Sequence, residues 1–153
     1  MPFTFRLERV LSVRRIQEQA ARQRHADAFR ACEAARGAHL ALERAVSRAL
    51  DELDGLKARD ELSAHTLHLH SLYLAGLRRR LHAALEQLRR AEERVEQAAA
   101  ELLEAHRARQ ALERLREKEE AVWRRQAARR EARSLDEIAA ARHRAREEEN
   151  HGP

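Results

Sequence analysis

At 153 residues and a formal charge of +5, the chain suits one folded unit, and it could meet acidic protein, anionic lipid or nucleic acid without selecting among them. Its two prolines are Pro2 and Pro153, so no proline excludes helix from the interior. With 37% charged and 3% aromatic residues, the composition fits either a long helix or a disordered chain, and hydrophobic periodicity decides between them.

The first segment, Met1 to Arg15, has arginines inside its apolar stretch and does not read as a secretory signal. Leu7, Val10, Leu11, Val13 and Ile16 are apolar but run slightly out of phase with the residues downstream of them, which predicts a local stutter near residue 20. From there Ala21, His25, Ala28, Cys32, Ala35, His39, Leu42, Val46, Ala49, Leu53 and Leu56 alternate steps of four and three. A 3.5-residue repeat sustained over about five heptads is a coiled-coil seam. After Leu56 the apolar positions stop, and Ser63 or Thr66 can cap a new helix by accepting a bond from a free N–H. The rhythm resumes with Leu74, Leu77, Leu81, Ala84, Leu88, Ala91, Val95, Ala98, Leu102, Ala105, Arg109 and Leu112, broken only by Arg109. It fades past Leu115, where Val122 and Trp123 are the last large apolar residues before Leu135 and Ile138. Ser134-Leu-Asp-Glu137 fits a capping box, which either opens a short terminal helix or lies by chance inside a continuous one.

Two seams of similar length and a short link predict an all-α protein, two long helices folded into an antiparallel coiled-coil hairpin and forming a single elongated domain. The expected bounds are about 3–58 for the first helix, 59–65 for the connection, 66–146 for the second helix and 147–153 for a frayed tail. Glu18 with Arg22, Glu86 with Arg90 and Glu120 with Arg124 have the favourable spacing for intrahelical ion pairs. In a hairpin both chain ends reach the same tip. That tip collects arginine, including Arg6, Arg9, Arg14, Arg124, Arg125 and Arg129, whereas Asp51, Glu52, Asp54, Asp60 and Glu61 gather near the link.

Candidate chemistry is thin. His65, His68 and His70 lack the nearby Cys or carboxylate partners that a metal site needs, so no metal is expected. Cys32 falls on the seam and reads as a small buried hydrophobe. Alone, it cannot form an internal disulfide, which fits a reducing, cytoplasmic compartment. The glycines form no phosphate-binding loop, and a hairpin offers no deep pocket, so neither an enzyme nor a cofactor is expected. No run approaches the roughly 18 apolar residues of a membrane span. Trp123 is either an interface anchor or a residue that packs across the hairpin. Acidic residues interleave with the arginines and no stacking aromatics accompany them. A basic nucleic-acid-binding coiled coil is therefore the alternative rather than the leading reading.

Three stretches together resemble the flagellar export protein FliJ family. They are Phe3-Thr-Phe-Arg-Leu-Glu-Arg-Val-Leu11 followed by Arg14-Arg15, then Leu69-His-Ser-Leu-Tyr-Leu-Ala-Gly-Leu77, then Arg109-Gln-Ala-Leu-Glu-Arg-Leu-Arg-Glu117 with Arg130-Glu-Ala-Arg-Ser-Leu-Asp-Glu137. The resemblance implies a stalk protein of the flagellar type III export apparatus, cytoplasmic and peripherally associated with the inner membrane. It implies that the tip enters the hexameric export ATPase FliI, that another face meets the cytoplasmic domain of the export gate protein FlhA, and that export chaperones also bind. A stalk of a virulence-type secretion system is the same architecture in another machine. The gate face is expected near the start of the second helix, with Tyr73 and Leu77 on one side of it. Stepping on to Arg80 and Ala84 brings a charge into a face that the family keeps largely apolar.

Overall fold

The structure, a computed structural model, describes residues 2–60 and 63–150, with side chains as far as residue 148. It consists of two helices, α1 (Glu8–Ala58) and α2 (Ala64–Asn150), packed against each other, with no strand among the described residues. By internal packing the chain divides into two compact units. Unit 1 comprises Met1–Ile16 and Arg107–Pro153, and unit 2 comprises Gln17–His106.

In unit 2 the seam residues of both helices, from Ala21 to Leu56 and from Leu74 to Ala105, are buried or half-buried, including His25 and His39. A core cluster joins Ala49 with Leu74 and Leu77, against which Leu42, Ala45, Val46 and Leu53 pack. Elsewhere in this unit the buried apolar positions are Ala21, Cys32, Ala84, Ala91 and Ala98. Alanine lets helices approach closely but removes little area from water, so at about 25 cal/mol per Å2 each layer contributes little. Arg24 lies 3.4 Å from Glu101 and Arg36 3.5 Å from Glu92, exposed pairs that follow the antiparallel register and are worth under about 1 kcal/mol each. Within α2, Glu86 pairs with Arg89 at 3.0 Å rather than with Arg90, the three-residue step serving as well as the four.

Both sides of the link are capped. Asp60 adopts φ 53°, the left-handed conformation that stops α1, while Arg59 N–H and Asp60 N–H donate back to the carbonyls of Gly55 and Lys57. The Ser63 Oγ accepts from Thr66 N–H at 3.1 Å and the Ser63 carbonyl accepts from Leu67 N–H at 2.9 Å, so Ser63 is the N-cap and α2 starts two residues before the expected 66. Glu61 and Leu62 lie outside the described residues, as do His151, Gly152 and Pro153 of the expected tail.

In unit 1, α1 begins at Glu8 rather than 3, because Pro2 to Phe5 run as a non-helical segment over α2. Phe5 is buried there, and Phe3 meets Trp123 with ring centroids 6.1 Å apart and tilted by 54°. Trp123 is thus half-buried and packs against the chain's own N-terminal segment. Leu11 is fully buried and Leu7 half-buried. These two stand in the same four-three frame as Glu18 and Ala21, so the expected stutter near residue 20 is absent. Val10, Val13 and Ile16 are instead exposed, on another face of α1. Glu8 reaches Arg116 at 3.4 Å and Arg15 reaches Glu113 at 3.3 Å. Arg109, the break in the second seam, turns its guanidinium to Glu113 one turn on. Past Ala127 every described side chain is exposed, yet α2 continues unbroken through Ser134, so the capping-box sequence opens no separate helix.

Candidate interaction surfaces

The arginines singled out from the sequence all fall in unit 1. Arg6 sits in the turn before α1, Arg9 and Arg14 on its first turns, and Arg124, Arg125 and Arg129 on α2, all exposed. Arg124 pairs with Glu120 at 2.5 Å. Arg6, Arg9, Arg125 and Arg129 have no ion-pair partner among the described residues, and Arg130 and Arg133 continue that unpaired run along α2. Exposed arginines of this kind keep their charge available to an anionic surface.

Tyr73 and Leu77 do not share a surface. Leu77 is 5% exposed in the core of unit 2, whereas Tyr73 is 54% exposed. Ala84 is buried in the seam and Arg80 is exposed. What accompanies Tyr73 outside is Leu69 and Leu72, both more than half exposed, four and one residues before it. Residues 69, 72 and 73 lie on one side of the helix, and Gly76 extends that side without adding a side chain. This three-residue apolar face was legible in the heptad frame: none of its members falls on the four-three series that runs through Leu74 and Leu77.

One polar cluster was only half legible in the sequence, which paired Glu18 with Arg22 and gave neither its burial nor its cross-helix partner. Glu18 is 3% exposed at a seam position of α1. Its carboxylate accepts from Arg22 at 2.8 Å and lies 3.0 Å from Nδ1 of His106 on α2. Counting the frame back from Ala21 by three would have placed Glu18 on the seam. Nothing in the spacing names His106 as its partner.

Among the described residues no group of three or more His, Cys, Asp or Glu is placed to hold a metal ion, and no helix is long and apolar enough to cross a membrane. The surface features are arginines without an ion-pair partner among the described residues in unit 1 and an apolar, tyrosine-bearing face in unit 2. No curated protein and no solved structure matches the chain significantly. The family described as Flagellar FliJ protein matches residues 3–148, nearly the whole chain, and the protein accordingly belongs to the FliJ family, whose general role is that of a non-catalytic stalk component in flagellar-type III protein export.

Proposed function

We propose that this chain is the stalk that links the hexameric export ATPase FliI to the export gate, with unit 1 docking on the ATPase and the Leu69, Leu72 and Tyr73 face meeting the cytoplasmic domain of FlhA. Export chaperones are further partners, and contact with the gate holds the protein at the cytoplasmic side of the inner membrane. The observation that carries this reading is the gathering of unpaired arginines from both chain ends into one unit, Arg6 and Arg9 from the start and Arg125 and Arg129 from α2. A ring with carboxylates around its opening would be steered onto such a surface, at a rate that falls with ionic strength. The gate assignment rests on Tyr73, whose ring and hydroxyl suit a surface that is apolar at one point and wet at the next.

The test uses the two purified partners. Charge reversal of Arg9, Arg125 and Arg129 together is expected to reduce stimulation of the ATPase while helix content stays the same, whereas any single reversal changes little. Tyr73→Ala is expected to weaken gate-domain binding by about 1–2 kcal/mol, the scale of an interface anchor, without lowering the melting temperature. Undiminished stimulation by the triple reversal would remove the ATPase assignment, and undiminished gate binding by Tyr73→Ala would move the gate face elsewhere.

A further inference from the structure

The first turns of α1 carry two apolar faces, and α2 covers only one. Leu7 and Leu11 turn inward. Val10, Val13 and Ile16 are 42%, 51% and 69% exposed. Successive positions three apart are neighbours on a helix, so the three side chains form a continuous stripe. Scattered exposed apolar residues need no explanation, but three β-branched ones in register are a different matter. In a chain that fills most helical positions with Ala, Leu, Arg and Glu, each β-branched residue lowers helix propensity, here with no seam packing in return. The rest of the molecule supports the contrast. The sequence has seven valines and isoleucines. Val46 and Val95, in unit 2, lie on the seam, whereas Val10, Val13, Ile16, Val122 and Ile138 are all exposed and all in unit 1.

The charge beside the stripe has one sign. Arg6 stands four residues before Val10, and Arg9 four before Val13. Both are exposed and without an ion-pair partner among the described residues. The nearby carboxylates point elsewhere, Glu8 to Arg116 at 3.4 Å and Glu18 into the seam with Arg22. A surface that is apolar along its middle and cationic at its edge is complementary to an apolar strip bordered by carboxylates.

We infer that the Val10, Val13 and Ile16 stripe is the apolar anchor of the contact with the export ATPase, received there by an apolar strip bordered by acidic side chains that meet Arg6 and Arg9. The inference rests on the ATPase assignment above and adds to it the source of the affinity. The arginines speed and orient encounter, and the β-branched residues hold the complex once formed.

Calorimetric binding of the full-length chain to purified export ATPase, at low and at high salt, separates the two contributions. Val13→Gln with Ile16→Gln is expected to weaken binding about tenfold or more at both salt concentrations, with unchanged thermal melting because both side chains are exposed. Arg6→Glu with Arg9→Glu is expected to weaken binding at low salt and to approach the native chain at high salt. Native affinity of the Val13→Gln, Ile16→Gln variant, alongside weakened binding of the arginine variant, overturns the stripe and leaves the ATPase assignment standing. Absence of binding by the native chain overturns both. Should the double variant melt early, Ile16→Gln alone decides: weaker binding at native melting temperature supports the stripe, and native binding overturns it.

Discussion

Glu18 shows how a single residue can be held in a place that its chemistry disfavours. An ionised carboxylate buried on a coiled-coil seam needs compensation, and Arg22 from its own helix and His106 from the other provide it. His106→Ala removes one of these partners and leaves Arg22. It is expected to lower unfolding stability by about 1 kcal/mol, since the imidazole is itself partly exposed. Glu18→Leu removes the charge instead and fills the seam, so denaturant unfolding is expected to show equal or greater stability than the native chain. A loss of more than about 2 kcal/mol in Glu18→Leu would mean that the cluster stabilises more than an apolar layer could. Asp60 is a second such residue. Its left-handed backbone costs an L-residue about 1 kcal/mol, which glycine avoids. Asp60→Gly is therefore expected to raise the melting temperature slightly, and a fall would show that the Asp60 side chain contributes a capping bond worth more than the strain.

Each helix bears the marks of its residues' spacing. Gly37 and Gly55 lie inside α1, where a Cβ would meet nothing within 4 Å. A helical glycine in open space costs roughly 0.5–1 kcal/mol against alanine. Gly37→Ala with Gly55→Ala is expected to add about 1–2 kcal/mol in denaturant unfolding, since sites this far apart behave independently. On α2 the seam and the outer face can be separated by mutation. Leu77→Ala is expected to cost about 2–4 kcal/mol because it empties a packed position beside Ala49 and Leu74, in contrast to the small effect of Tyr73→Ala on melting. Leu77 and Tyr73 are four residues apart, which at helical periodicity puts them near one another around the axis. Yet one lies inside the contact line and the other outside it, because a two-helix seam is narrow. The i,i+4 spacing brought the pair together, the four-three frame already set Leu77 on the seam and Tyr73 off it, and packing against α1 buried the one and left the other exposed.

In the molecule as a whole, stability is unevenly distributed between the units. Unit 1 buries Phe5 and Leu11, and from residue 128 to 148 every side chain of its part of α2 is exposed. Unit 2 holds the remaining buried apolar positions, from Ala21 to Ala98, and the buried Glu18. Local stability follows buried apolar contact, so unit 1 is expected to open first. The single tryptophan, Trp123, lies in unit 1 against Phe3 and reports on that unit alone. Its fluorescence transition is expected at a lower temperature than the bulk loss of far-ultraviolet circular dichroism, and Phe3→Ala should widen the gap. Coincident transitions would show that the two units unfold as one.

The sequence by itself determined the helices and their seams. Proline at the two extremes, strong helix formers throughout and a four-three apolar rhythm permit little else, because a 3.5-residue repeat can bury its stripe only against another like it. Cys32 as a seam residue and a cap at Ser63 or Thr66 were equally legible from local spacing, and the structure gives the cap to Ser63. What tertiary structure decided was which apolar residues lie off the seam and which charges meet. Val10, Val13 and Ile16 read in the sequence as a displaced piece of the seam. With α2 in place they form a second, uncovered face. Trp123 is packed by Phe3, and Glu18 is compensated by His106, through contacts between residues about 90–120 positions apart in the chain. Periodicity describes one helix at a time. The cross-helix register that selects these partners exists only once the two helices have met.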